Sequence, residues 1–574
     1  MRAHAAPSLL VFLVLLAALV TGCASSGGAA APSGGFPAYG SVGVPVAFEG
    51  MGPYSRDVTT DSEEARRFFH QGLNWLYAFN HDESVVSFTR AAELDPGCAM
   101  AWWGIALAQG PNYNDSFMSP NRSAAAWAAI DRATAELDDE TELERAFVEA
   151  LAARYAAEAP EDRSGLDAAY VAAMGALCER FPGDPDAGAL FADAMMVQHP
   201  WKLYDADGEP AREATVEIVR ALERVLADHP DHPGANHLYI HAIEPSNDKA
   251  RAVRAADALK DLVPAAGHML HMPSHIYVQV GKWDEAIEQS HKSMAADARY
   301  RELSPDQLIQ HAYMSHNAHM LAFAAMMCGR EEEAMAAARS MLANFPAPML
   351  AAAGDFVDGT MCSVYDVHKR FGRWDALLAE PAPPANLQIT NAIWHAHRAI
   401  AHAAKQDIPA ARAEQRLFRE AMTSISIDGS LPFGARMKTL LVSEFFVEAE
   451  IELQQGEYES AAALLEQAAA IEDTIGYGEP PQWLQPVRHT LGVALMQAGS
   501  FARAEEVYRE DLERWPGNGW SLLGLSQALA AQGDDAGARA ARSAFEEAWG
   551  GDVEEMGTSC RCVTELETAG AEAD

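Results

Sequence analysis

Gly72 to Pro96 reads GLNWLYAFNHDESVVSFTRAAELDP, and Gly492 to Pro516 reads GVALMQAGSFARAEEVYREDLERWP. In each, an amphipathic run of helical period reaches a turn, an aromatic or acidic pair follows, and a second amphipathic run ends near proline. The punctuation recurs from Gly281 (GKWDEAIEQSHKSM), Gly329 (GREEEAMAAARSMLANFP) and Gly456 (GEYESAAALLEQAA). Small residues at Gly72, Ala286, Ala334, Ala461 and Ala504 stand where paired helices must approach closely, while Trp75, Phe88, Tyr277 and Tyr508 fill the gaps. No alternating strand pattern and no Rossmann-type glycine signature interrupts the helical period, so the expected fold class is all-α.

These segments resemble tetratricopeptide repeats, pairs of antiparallel helices of about 34 residues that stack on the next pair. Such repeats bury their apolar faces only against neighbours, so the resemblance implies a right-handed superhelical solenoid with a concave inner surface. It covers most of residues 60 to 550, in degenerate form between about 110 and 230 and between 345 and 440. The blocks FFHQGLNWLYAFNHDESVVSFTRAAELDP, GPNYN, HLYIHAIE, HMPSHIYVQVGKW and HNAHM are similar to those of a family of large bacterial tetratricopeptide-repeat lipoproteins. That resemblance implies a fold and attaches no activity.

Working outward, Arg2 precedes an apolar run from Leu9 to Val20 and then Thr21-Gly22-Cys23. A dozen apolar residues is too few to span a bilayer, which makes the run a secretion signal. Small residues directly before a cysteine resemble a bacterial lipoprotein signal, which implies cleavage before Cys23 and lipid on its thiol. Ala24 in the next position implies the outer membrane, facing the periplasm. The expected organisation is a signal over 1 to 22, a flexible tether over 23 to 58, an array with the histidines over 59 to 345, a second array over 346 to 550 and a tail over 551 to 574. Gly, Ser, Ala and Pro after Cys23 give the tether flexibility and nothing to bury.

A net charge of -40 opposes contact with phosphate backbones, which takes clustered Lys and Arg, and so argues against nucleic acid as a partner. Seven cysteines in 574 residues are too sparse for a disulfide framework. Cys560-Arg561-Cys562 is a pair able to bridge or to bind a soft metal, and its role stays open.

Chemistry concentrates between His237 and His319, which hold nine of the 20 histidines. Each helical residue advances about 100°, which places His237, His241 and Glu244 within about 60° of one another. His268, His271 and His275 share a similar arc, as do His316 and His319. Pro273 lies inside the second group and is expected to perturb its helix. First helices of adjacent repeats line the concave face, so the three groups can converge although about 40 residues separate them in sequence. Imidazoles at i, i+3 or i, i+4 let one helix supply two ligands to a transition metal. Seven histidines exceed the needs of one tetrahedral ion and leave room for a second ion or for groups that orient the ligands.

Copper or zinc fits an all-imidazole set, with Met269 and Met272 as nearby soft ligands, and Glu244 is the candidate general base for a metal-bound water. A buried hydrogen-bond network and a polar ligand pocket are the alternative readings of the same residues. Asn112 and Asn114 in the Gly110-Pro-Asn-Tyr-Asn loop, and Trp201 after His199-Pro200, are weaker ligand-binding candidates, with turn chemistry and packing as their alternatives. His291 and His311 fall off the shared arcs and read as surface or packing residues. Three functions remain open: a membrane-tethered metalloprotein acting as a hydrolase or oxidase, a scaffold binding a peptide or protein partner along its groove, and a small-molecule binder.

Overall fold

The computed structural model describes residues 38 to 566, apart from 42, 139, 306 to 309, 346 to 349, 351 to 356, 426 to 432 and 564. Cys23 and the signal therefore lie outside the described residues, as does the side chain of His311. The described residues form 24 α-helices and no strand. No helix among them is long and apolar enough to cross a membrane. The chain divides into two compact units, 38 to 276 with 289 to 317, and 277 to 288 with 318 to 566.

The first unit begins with α1 (Glu63–Tyr77), α2 (His81–Leu94), α3 (Ala99–Gln109), α4 (Pro120–Ala135), α5 (Glu142–Ala152), α6 (Ser164–Arg180), α7 (Pro185–Val197), α8 (Glu213–Asp228), α9 (Pro233–Ile243) and α10 (Val253–Leu259). The division between units falls within α11 (Gly267–Gln279), α12 (Trp283–Leu303) and α13 (Gln310–Met327). The second unit continues through α14 (Glu331–Ala343), α15 (Ser363–Arg370), α16 (Trp374–Ala379), α17 (Gln388–Ala404), α18 (Ile408–Ser424), α19 (Phe433–Gln454), α20 (Tyr458–Glu472), α21 (Val487–Gln497), α22 (Phe501–Arg514), α23 (Gly519–Ala531) and α24 (Asp535–Ala548).

Sequential helices pair, α1 with α2 and α3 with α4 in the first unit, α17 with α18 and α23 with α24 in the second. Glycines let the pairs close. A Cβ at Gly72 or Gly104 would lie 2.8 or 2.5 Å from the Phe88 ring, so α1 and α3 clamp one aromatic of α2. The second unit repeats the device: a Cβ at Gly492 or Gly524 would lie 2.2 or 2.1 Å from Tyr508. In both clamps the ring stands 16 residues from either glycine. The apolar core is the set of such interdigitated faces.

The turn inside the hairpin is equally regular. In eight hairpins among the described residues, the position two before the second helix has positive φ. The following N–H then donates to the carbonyl five residues back, as Asn80 N to Trp75 O and Glu457 N to Glu452 O, both 3.0 Å. That is the hydrogen-bond pattern of a Schellman closure, which needs a left-handed residue and favours glycine. Glycine holds the position in six hairpins (281, 329, 372, 456, 499 and 533), Gln406 in one and Phe79 in one.

The burial of residues before α1 bears on the expected tether. Residues 38 to 58 belong to the first unit rather than to a tether: Phe48, Arg56 and Val58 are buried. Phe48 N donates to Gln71 Oε1 at 2.8 Å, and Gly40 N donates to Asp82 Oδ1 at 2.9 Å. The aromatic side chains among the glycines give this stretch something to bury. The tail likewise packs on the second unit, where Ser559 Oγ donates to His489 O at 2.8 Å and lies 2.7 Å from the Tyr508 hydroxyl.

The turn rule is testable at two positions. Gly456 has φ 82° and open space where a Cβ would stand, so Gly456→Ala should cost about 1 to 2 kcal/mol from backbone strain alone. Gln406 has φ 64°, and Gln406→Gly should stabilise by about 1 kcal/mol. Denaturant unfolding of the two variants, read for opposite shifts in midpoint, checks both.

Candidate metal centre

The histidines come from α9, α11 and α13, each the first helix of its pair, within the first unit. Helix α9 begins at Pro233 behind the N-cap His232, whose Nδ1 accepts from Ala235 N at 3.0 Å. His232 Nε2, which then carries the proton, donates to Asp186 Oδ1 at 3.1 Å and ties α9 to the start of α7. Helix α9 also packs against α1. There His237 Nδ1 meets the Tyr77 carbonyl at 2.6 Å, a contact across 160 residues.

Helix α11 continues through Pro273, and His268, His271 and His275 stay on one side of it. Ring centroids lie 6.1 Å apart for His268 and His271, and 4.6 Å apart for His271 and His275. Asp297 of α12 fixes the start of this helix. A Cβ at Gly267 would fall 2.0 Å from its Oδ1, so any larger residue there must displace that carboxylate. Its Oδ2 accepts from Asn317 Nδ2 at 2.7 Å, which links α11 to the turn of α13 that carries His316.

Two sets of three imidazoles result, His237 with His241 and His268, and His271 with His275 and His316. Within each set, one nitrogen per ring lies within 4.8 Å of the others. Glu244, just past α9 and fully buried, joins the sets: Oε1 is 2.7 Å from His241 Nδ1 and Oε2 is 2.6 Å from His275 Nδ1. The expected general-base role does not fit this geometry, because both carboxylate oxygens are engaged with imidazole nitrogens. Among the described residues, His319 joins neither set. It belongs to the second unit, where Asp366 is the charge that acts on it.

Hydrogen bonding assigns the tautomers. A carbonyl and a carboxylate only accept, so Nδ1 of His237, His241 and His275 carries the proton and Nε2 carries the lone pair. Nε2 of His237 and of His241, and both ring nitrogens of His268, are buried without a hydrogen-bond partner. In the second set, His271 Nε2 and His275 Nε2 lie 2.6 Å apart. Burial pushes the His241 imidazole down to about 3. Burial, and then the neighbouring imidazoles, hold His237, His268, His271 and His275 well below the ordinary range.

Aromatic side chains wall the first set. Phe79, with φ 56°, lies flat against His241 and His268 at 5.9 and 6.0 Å between centroids, and 4.4 Å from His237. Trp201, with φ 58°, stands edge-on to His241 at 5.6 Å, and Tyr113 lies 5.4 Å from the same ring. Tyr313 covers His268 at 4.6 Å. Trp201 thus flanks the site as an aromatic wall.

Asn112 is turn chemistry instead, its Oδ1 accepting from Asn114 N and Asp115 N, both at 2.8 Å. Its Nδ2 lies 3.2 Å from His81 Nε2, and Asn114 lies beside the Tyr313 hydroxyl. His291 is exposed, in keeping with a surface role. Phe79, Tyr113, Tyr313 and His81 were not singled out by sequence. Only the phenylalanine in a position that glycine takes elsewhere offered a signal.

No protein-family model and no curated protein sequence matches the chain. Among solved structures, the human IFIT1 dimer with m7Gppp-AAAA is similar over 86% of this chain and 90% of that chain, at 13% identity and a TM-score of 0.31. The APC/C hetero-tetramer Cut9-Hcn1 is similar over 87% and 76%, at 10% identity and a TM-score of 0.27. The TPR domain of P58(IPK) is similar over 84% and 92%, at 12% identity and a TM-score of 0.19. Superpositions this loose leave the site to be argued from its own residues.

Glu244→Gln tests the tautomer assignment. An amide oxygen accepts from one Nδ1–H while the NH2 group faces the other, so one imidazole must move its proton to Nε2. The variant should lose about 1 to 3 kcal/mol of stability. Long-range 1H–15N spectra should show His241 or His275 changing tautomer, and two unchanged rings would show that the carboxylate does not set them.

Proposed function

We propose that His237, His241 and His268, and His271, His275 and His316, bind transition-metal ions, copper or zinc, in a helical-repeat lipoprotein of the bacterial cell envelope. One observation carries the reading: buried imidazole nitrogens converge, and in the set of His237, His241 and His268 four of them have no hydrogen-bond partner. Nε2 of His237 and His241 are both acceptors, and His268 brings a single N–H, so a hydrogen-bond network cannot close on this set. A buried ring nitrogen left without any partner costs about 1 to 3 kcal/mol. A cation removes that cost.

Imidazole nitrogen suits both metals, and copper stands highest in the affinity order for such ligands. Glu244 is the carboxylate that orients one ligand of each set, an arrangement usual around metal-bound histidines. The aromatic wall of Phe79, Trp201, Tyr113 and Tyr313 excludes water. A bound ion would supply Lewis acidity, or electron transfer if it is copper. The lipoprotein-like signal supports an anchor through lipid on Cys23, in the outer membrane and facing the periplasm. The stacked hairpins support a peptide or protein partner along the groove as a second role.

Elemental analysis of the untagged chain should find two transition-metal ions. One should be lost in His241→Ala/His268→Ala and the other in His271→Ala/His275→Ala, each with its helicity retained. A folded chain that takes up no metal on reconstitution would overturn the reading and leave the partner-binding role.

Acidity gives an independent check. Three imidazoles of ordinary pKa near 6.5 would be mostly protonated at pH 5.5 and would weaken binding about a thousandfold relative to pH 7.5. Here the folded pKa values are lowered, so the lone pairs persist below pH 6.5 and the Kd for zinc should change by less than about tenfold over that range. Titration of the metal-free protein at the two pH values measures it.

A further inference from the structure

The second unit holds a different cluster, built where the C-terminal tail crosses α19 and α21. One ligand atom from each of Glu450, Cys560 and Cys562 lies within 4.8 Å of the others, and all three residues are buried. The cysteines are joined by a disulfide. We propose that Cys560, Cys562 and Glu450 form a second metal site, thiolate-based and redox-gated, that takes a thiophilic d10 ion such as Zn2+ or Cu+ when the cysteines are reduced and is closed when they are bridged.

Four observations support it. Glu450 is 2% exposed, and its Oε2 has no hydrogen-bond partner, while its Oε1 faces Cys560 Sγ at 3.9 Å. The charge of Lys369 acts on this carboxyl without bonding Oε2, and a cation shared with the two sulfurs would satisfy that oxygen. Second, the bridge spans a sequence separation of 2, so it cross-links nothing distant and adds little as a staple. Third, the tail is held without it, by Ser559 on His489 and Tyr508 and by Gln454 Nε2 donating to Cys562 O at 2.7 Å. Fourth, Cys560 Sγ receives the Cys562 N–H at 3.3 Å and the Thr490 hydroxyl at 3.4 Å, donors that stabilise a thiolate.

Opening the site requires a dithiol reductant. Its two S–H groups supply two electrons and two protons, the Cys560–Cys562 bond breaks, and the reductant leaves as its own cyclic disulfide. Metal binding then displaces the two cysteine protons to solvent. Sulfur ligands separate this site chemically from the imidazole sets, because only this site opens and closes with the redox state of its cysteines.

The test uses the full chain, treated with dithiothreitol or left oxidised, freed of reductant without air, and titrated with cadmium as a thiophilic probe. The reduced protein should gain one cadmium ion per chain, with an ultraviolet thiolate-to-cadmium absorption that the oxidised protein lacks. Cys560→Ser and Cys562→Ser should each abolish that absorption, and Glu450→Gln should weaken binding by at least about tenfold. None of the three should change the metal content of the histidine sets. A bridge that resists reduction while the helices remain folded would overturn the proposal, as would a reduced chain without the absorption or unchanged affinity in Glu450→Gln.

Discussion

Each of these hairpins depends on one residue that can hold a left-handed backbone two places before its second helix. Without it the chain cannot reverse in so few residues and still satisfy the last carbonyls of the first helix. Glycine meets the requirement at almost no steric cost, and six of the eight such turns among the described residues use it. Phe79 meets it at a cost of roughly 1 to 2 kcal/mol, and its side chain is what a glycine could not supply. The turn that reverses α1 into α2 thereby also presents the ring that covers His237, His241 and His268.

Glu244 does for the site what Phe79 does for its wall. Two Nδ1–H groups on one buried carboxylate leave two Nε2 lone pairs, one in each set. The Tyr77 carbonyl fixes a third. These restraints come from α1, α9 and α11, so the site's chemistry requires the first and later hairpins of the unit to be stacked at once. Asp297 adds α12 and α13 through Gly267 and Asn317. Folding of the unit and assembly of the site are therefore one event.

Local signals made the fold legible. Helical period, proline ends and small residues at 72, 286, 334, 461 and 504 all act within one hairpin. The shared arcs of His237 with His241 and of His268, His271 and His275 were legible too, because register along a helix is a local property, whereas the sets that cross from helix to helix were not. Nor were the partners of those histidines. Tyr77 precedes His237 by 160 residues, and nothing local pairs them. Glu244 shares an arc with His241, which made it a plausible base, but its bond to His275 on another helix gives it a different role. His319 shares an arc with His316, yet the helix passes from one compact unit to the other between them. Residues 38 to 58 read as linker from their glycines, whereas Phe48 and Arg56 find pockets that only the folded hairpins provide.

Strain and burial point the same way. The described residues contain three non-glycine residues with positive φ, and two of them, Phe79 and Trp201, touch the first histidine set. Strained aromatic residues persist where the surroundings over-determine them, and such places concentrate at binding sites. Beside them stand imidazole nitrogens of His237, His241 and His268 that have no hydrogen-bond partner. A chain selected for stability alone would place glycine at 79, as six of the other seven such turns among the described residues do. An occupant that binds only the folded state adds RT ln(1 + [L]/Kd) to stability, about 4 kcal/mol at a thousandfold excess over Kd. A gain of that size would offset part of the strain at Phe79 and Trp201 and part of the cost of the unpaired nitrogens beside them.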